Sequence, residues 1–398
     1  MSGAERVAAA LLRDRALPSE ACYLLPAGAR SWAALSETSY LAQRRFYEAA
    51  AWSALGGPAW FRGCRRPGEL AVVGCGVGHG LGEIELLSRL VADPAGPRVL
   101  YWATDTSEIL LGEHLARLRA ALPGALGAGR LRVASACADI LRLKSVIDLP
   151  PEVPVLATAF GNTLGIRPGL VMPFMKQLER SFGRRPRALL AGIGVAGRQP
   201  CRYPAEAFEF FLETLRALAA EGALRAGPGE FTAAPGRLNL PVARGAHRLK
   251  ASGPRLGDVY RLRYRLSFPL GSPAVADALP AGTWLTLVSA VLFDPSALLR
   301  QLRAWGYGAA AAAPIMPANG REYAVVAAFS GTLASGRVGF GEGVDADAGQ
   351  QHAEQENDEA VLEKREKDAL QLRPDDQLAA AAAPADADVH VHGRGPGK

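Results

Sequence analysis

Cysteine, histidine and long apolar runs are all scarce in this chain, and each scarcity removes a class of explanation. Five cysteines in 398 residues (Cys22, Cys64, Cys75, Cys137, Cys201) are odd in number, scattered and never spaced C-x-x-C. Neither a disulfide framework nor a structural zinc site fits that pattern. Of six histidines only His390 and His392 stand close together, on a polar segment, so no metal is expected. No apolar run approaches the roughly 20 residues of a membrane span. The first residues, MSGAERVAAALLRDRALPSE, carry charges through their apolar part, unlike a secretory signal. The expected setting is a reduced cytoplasm, without a membrane partner.

What the chain does have is apolar substance and an uneven charge. Hydrophobic residues make up 49%, enough for a large core and two or three domains. From Phe340 onward there are 14 acids and 6 Lys/Arg (−8), which leaves 39 Lys/Arg and 25 acids (+14) before it. A basic body suits an anionic substrate or nucleic acid, or simply an arginine-rich genome. After Ser330 the composition is too poor in hydrophobes to fold alone.

Glycine is abundant and concentrated. An apolar run, Leu70 to Val73, meets Gly74, Gly76, Gly78, Gly80 and Gly82, and Ile84, Leu87, Leu90 and Val91 then follow at helical spacing. That predicts a buried strand, a tight turn and a helix start. Glycines there let backbone approach a ligand, and the helix N-terminus offers free amides to an anion. A second strand, Val99 to Ala103, ends at Asp105, placed to accept from ribose hydroxyls. No register completes G-x-G-x-x-G. The G-x-G-x-G spacing is instead similar to motif I of class I S-adenosylmethionine (SAM) methyltransferases; the bland alternative is a turn that merely packs a helix on a strand.

Ala4 to Leu17 predicts a short amphipathic helix, and Ser36 to Leu55 a longer one with Ser36 as N-cap, its Tyr40, Phe46, Tyr47 and Trp52 forming core or a lid. Ser107 to Leu122 predicts a helix and Leu131 to Ala136 a strand ending near Asp139, where an adenine amino group could be met. Val153 to Phe160 breaks into Gly161-Asn162-Thr163-Leu164-Gly165, a turn expected at the same crevice, since ligands sit outside strand carboxyl ends. Helix Leu170 to Phe182 and strand Arg187 to Ile193 continue a βαβ alternation. Next come a helix, Ala205 to Glu221, and an alternating strand, Val259 to Phe268, with Arg261, Arg263 and Arg265 on one face, a solvated row or an anion-binding edge. Trp284 to Phe293 can pair with it; Pro295 to Trp305 and Glu322 to Phe329 give a closing helix and an antiparallel strand.

The combination GCGVGHG, TDTSEILL, FGNTLG and AWGY resembles the histidine-specific SAM-dependent methyltransferases, which include the α-amino trimethylase of ergothioneine biosynthesis. The likeness spans about residues 35 to 330. It implies an α/β fold: a Rossmann-like class I methyltransferase sheet with helices on both faces, plus an inserted smaller α+β substrate domain. The expected divisions are 1–68 (helical lid region), 69–200 (SAM-binding core), 201–285 (inserted substrate domain), 286–331 (completion of the core sheet) and 332–398 (disordered acidic tail).

The resemblance also implies S-adenosyl-L-methionine as cofactor, its methionine end at Gly74, Gly76 and Gly78, its ribose at Asp105 and its adenine near Asp139, with Ser107, Phe160 and Gly161 alongside. Candidate substrate contacts are Tyr40, Tyr47, Asn162 and Tyr203. The chain departs from the family where an asparagine is replaced by Ile166, and where an imidazole-recognising glutamate and serine are replaced by Val288 and Ala290. The expected acceptor is therefore a small amine or amino-acid derivative other than histidine, with no dedicated base assigned. Two other readings stand beside this one. Val72, where many class I enzymes carry an acid, suits a non-catalytic SAM-binding scaffold. The basic body suits nucleic-acid or peptide methylation, the weakest of the three.

Overall fold

A computed structural model describes residues 2–330, apart from 38, 65–67, 197–204, 235–236, 249–254 and 316–322. The described residues belong to one compact unit; the expected acidic tail lies outside them. Five parallel strands come first: β1 (Glu69–Cys75), β2 (Arg98–Asp105), β3 (Leu131–Cys137), β4 (Val155–Ala159) and β5 (Arg187–Gly194). A small antiparallel group follows: β6 (Leu238–Arg248), β7 (Arg255–Arg265), β8 (Leu270–Ser272), β9 (Val275–Leu279) and β10 (Trp284–Phe293). The chain returns with β11 (Ala309–Ile315) and β12 (Tyr323–Ser330).

The main sheet has seven strands in the order β11-β12-β5-β4-β1-β2-β3, with β12 antiparallel to both neighbours. This is the expected Rossmann-like α/β sheet with its antiparallel finish. β1 and β4 are buried along nearly their whole length, as central parallel strands covered on both faces must be. One face packs Leu70, Val72 and Leu156 under Leu86 and Leu87 of the Leu81–Ala92 helix. The other packs Val73, Val155 and Ile193 under Phe174 and Leu178 of the Val171–Phe182 helix.

A third core joins the first and third of the expected divisions, residues 1–68 and 201–285. Leu11 and Leu12 of the Gly3–Asp14 helix share it with Phe210 and Leu215 of the Ala205–Ala220 helix and with Leu262 and Tyr264 of β7. The Leu17 amide donates to the Thr286 carbonyl and the Thr286 amide to the Arg15 carbonyl, both at 2.8 Å. The first residues and the insertion thus fold as one body, because neither buries its apolar face alone.

Two expectations need correction. The boundary at 286 falls inside β10, which pairs with β7 in a three-stranded sheet rather than completing the main one. Ser36 does not cap the Ser39–Ala54 helix; it ends a separate helix, Pro26–Ser36, and its hydroxyl donates to the Ala33 carbonyl at 2.8 Å. β6 and the alanine-rich β11 were not foreseen from the sequence. The expected alternation of β7 holds, with Arg261 and Arg265 exposed and Leu262 and Tyr264 buried.

Candidate functional site

The carboxyl ends of β1, β2 and β4 meet at one edge. After β1 the chain turns with Gly76, Gly78 and Gly80 at φ +67°, +51° and +66°, a region side chains rarely occupy. The amides of Gly76 and Val77 donate to the Thr104 carbonyl at 2.9 and 3.1 Å, and the Thr104 hydroxyl donates to the Gly74 carbonyl at 2.6 Å. The loop is thus stitched to β2. Gly80 caps the Leu81–Ala92 helix without a side-chain oxygen, so the amides of Leu81 and Gly82 have no capping side chain, while the Glu83 carboxyl accepts from its own amide.

Asp105 ends β2 and is 6% exposed. Its Oδ2 accepts from the Gly78 amide at 2.7 Å and its Oδ1 from the Ser107 amide at 2.8 Å. Burial raises its carboxyl above the usual range, while the amides of Ser107, Gly78 and Thr106 pull it back. Each oxygen keeps further acceptor capacity for a hydroxyl. The Ser107 hydroxyl caps the Glu108–Ala121 helix, accepting from the Leu110 amide at 3.3 Å.

The glycines are not equivalent. A Cβ on Gly74 would stand 2.9 Å from the Tyr101 hydroxyl, on Gly76 3.1 Å from Thr163 Cγ2, and on Gly78 3.1 Å from Trp32 Nε1. Gly74 is therefore needed for packing, while Gly76 and Gly78 admit the Thr163 and Trp32 side chains to the loop. At Gly80 a Cβ would overlap the His114 ring. His114 is fully buried, bonds the Tyr101 hydroxyl at 2.8 Å through Nε2, and is pushed down to about 4 by burial.

The third turn follows β4. Phe160 is buried, and Gly161 and Asn162 both take left-handed conformations, φ +69° and +66°. The Gly161 amide donates to Glu48 Oε1 at 3.0 Å. Asn162 Oδ1 accepts from the Gly194 amide at 3.0 Å, and its Nδ2 donates to the Val291 carbonyl at 3.4 Å. Asn162, the expected substrate contact, ties β5 to β10 through these two bonds.

Asp139 caps a short turn through the Leu141 amide at 2.8 Å, and its Oδ2 lies 4.0 Å from the Arg167 guanidinium. Tyr47 is exposed. Tyr40 lies in the Ser39–Ala54 helix with its side chain outside the described residues, as is all of Tyr203. Ile166 packs on the second core and Val288 on the third, and Ala290 is buried opposite Tyr260. The structure thus gathers Gly76, Gly78, Asp105, Ser107, Phe160 and Gly161 at one edge. It does not place Tyr47, Val288 and Ala290 in polar contact with them. Among the described residues no group of three His, Cys, Asp or Glu side chains could hold a metal, and no helix is long and apolar enough to cross a membrane.

Three buried groups escaped the sequence reading. Glu48 and Glu83 are 4% and 2% exposed, and Tyr323, which opens β12, donates its hydroxyl to Glu48. The Thr158 hydroxyl donates to Glu83 Oε1 at 3.4 Å. Burial, and then the charge of Glu48, push the Glu83 carboxyl up to about 8. A signal was present: Glu48 precedes Ala51, Trp52 and Leu55 at helical spacing, and Glu83 precedes Leu86, Leu87 and Leu90. Each is an acid on an apolar stripe.

No family model matches the chain, and no curated protein matches it. Among solved structures, magnesium protoporphyrin IX methyltransferase from Synechocystis PCC 6803 with bound SAH is 13% identical, with 78% of this chain and 96% of that one covered and a TM-score of 0.39. The trans-methyltransferase CalH in complex with SAH is 15% identical, covering 75% and 61%, with a TM-score of 0.37. The glycopeptide N-methyltransferase MtfA is 12% identical, covering 71% and 95%, with a TM-score of 0.32. A likeness of that size carries no argument, and the fold rests on the strand order above.

Proposed function

We propose that the protein is a SAM-dependent methyltransferase acting on a small-molecule acceptor, an amine or amino-acid derivative other than histidine. The observation that carries this is the convergence of the Gly76–Gly80 turn, Asp105 and the Gly161 turn on one carboxyl edge of a Rossmann-like sheet, where ligands of such sheets bind. In this reading Gly74, Gly76 and Gly78 border the methionine end. Asp105 uses its remaining lone pairs on the ribose hydroxyls, Asp139 lies near the adenine, and Ser107, Phe160 and Gly161 complete the crevice.

SAM supplies an electrophilic methyl group on a sulfonium. What remains for the protein is to exclude water and hold a neutral amine in line with that methyl, a contribution of roughly 7–11 kcal/mol. Tyr40, Tyr47, Asn162 and Tyr203 are the candidate acceptor contacts, Asn162 being held in place by its bonds to the Gly194 amide and the Val291 carbonyl. Histidine is set aside on the resemblance alone: at the positions that would recognise its imidazole this chain carries Ile166, Val288 and Ala290, whose side chains cannot hydrogen-bond it, and an unpaired imidazole costs roughly 1–3 kcal/mol. Calorimetric titration with SAM and S-adenosylhomocysteine (SAH) should show saturable binding; no binding at millimolar ligand overturns the reading. The engagement of Asn162 by backbone favours a second reading, a non-catalytic SAM-binding scaffold. Binding of SAM without SAH formation across a broad amine panel would select it.

A further inference from the structure

The Ser39–Ala54 helix carries a carboxylate that core packing does not account for. Glu48 is 4% exposed, and burying an ionised carboxylate costs far more than burying an apolar side chain. Its seat is specific. A Cβ on Gly82 would stand 2.8 Å from Glu48 Oε2, and one on Gly192 would overlap Glu48 Oε1 and the Tyr323 hydroxyl. The Gly161 amide donates to Glu48 Oε1 at 3.0 Å and lies 3.1 Å from the Tyr323 oxygen, while the Tyr323 hydroxyl donates to the same Glu48 oxygen.

Four separate parts of the chain therefore wall one socket: the first turn of the Leu81–Ala92 helix, the turn after β4, the end of β5 and the start of β12. Absent side chains on Gly82 and Gly192 make the room, and two donors meet the carboxylate there, as charge-assisted bonds require. Beyond Gly161 the same turn carries Thr163. Its hydroxyl donates to the Phe160 carbonyl at 2.6 Å, and its Cγ2 lies 3.1 Å from where a Gly76 Cβ would stand. Fixing Gly161 therefore fixes the group that abuts the glycine loop.

We propose that Glu48 is a positioning residue that keys the Ser39–Ala54 helix into the sheet edge and holds the Gly161 turn against Gly76, so that the crevice is complete only with this helix seated. The effect on ligand rests on the SAM-binding reading; the effect on the turn does not. The test compares wild type, Glu48→Gln, Glu48→Ala and Tyr323→Phe by SAH titration and by hydrogen exchange of peptides covering 39–54 and 158–165. Glutamine keeps an acceptor for Gly161 and Tyr323, so Glu48→Gln should bind SAH within about threefold of wild type. Glu48→Ala should lose about tenfold or more and exchange faster in those two segments, with Tyr323→Phe in between.

Wild-type exchange and affinity in Glu48→Ala would overturn the proposal. So would uniformly faster exchange over the whole chain with SAH affinity unchanged, which would mark a purely structural role. If Glu48→Ala does not fold, unchanged exchange and affinity in Tyr323→Phe overturn the proposal instead. If wild type binds no SAH, the cofactor reading fails, and the exchange comparison still decides the coupling.

Discussion

Replacing Glu83 by glutamine should remove a pH-dependent instability that wild type carries in its interior. In the folded protein burial and the neighbouring Glu48 raise the Glu83 carboxyl from 4.5 to about 8. Below pH 4.5 both folded and unfolded chains hold that proton, and the site contributes no difference. Above it the unfolded chain ionises while the folded one does not, so stability falls with rising pH until about pH 8 and then levels. At about 1.4 kcal/mol per pH unit the whole descent is about 5 kcal/mol. Glutamine is neutral throughout and can still accept from Thr158. The gap between Glu83→Gln and wild type should therefore be small at pH 5 and grow to several kcal/mol by pH 9, roughly 10 °C in melting temperature. Thermal unfolding of both proteins from pH 5 to 9 measures it. Parallel curves would refute the reasoning, because they would mean that Glu83 ionises in the folded state as it does in water.

Asp105→Ala should weaken SAH binding at least tenfold in calorimetry, since it releases the Gly78 and Ser107 amides together with the proposed ribose contact; unchanged affinity would remove Asp105 from the site. Gly80→Ala forces a side chain into the His114 ring at φ +66°, and should cost about 1–3 kcal/mol or more in urea unfolding. The His114 ring should stay neutral by NMR until about pH 4, so the protein loses this part of its stability as pH falls from about 6.5 through that value. Protonation near 6.5 would contradict its burial. Asn162→Ala leaves the Gly194 amide and Val291 carbonyl without their partner, and should cost about 1–3 kcal/mol.

The parallel half of the fold was legible because its signals are local. A buried strand such as Leu70–Val73, a glycine turn and a helical stripe each fall within a dozen residues, and Asp105 and Gly161 inherit their places from the strands that carry them. The remainder depends on pairings between distant segments. β11 is a run of alanines with no strand period, and it exists because β12 offers an edge beside it. The joint core of Leu11, Phe210 and Tyr264 draws on three regions that no periodicity connects. Asn162 looked free in the sequence because Gly194 and Val291, its partners, lie far along the chain. Glu48 and Glu83 were readable in part, as acids on apolar stripes, but much of what makes them tolerable, Tyr323 and Gly192 for Glu48 and Thr158 for Glu83, comes from strands elsewhere in the chain.

Crystallisation with SAH tests the central claim most directly. The ribose hydroxyls should lie within hydrogen-bond distance of Asp105, the methionine end over the Gly76–Gly78 turn, and the sulfur facing the Gly161 turn. SAH bound elsewhere, or a glycine turn closed against Thr163 and Trp32 with no ligand at saturating SAH, would contradict it.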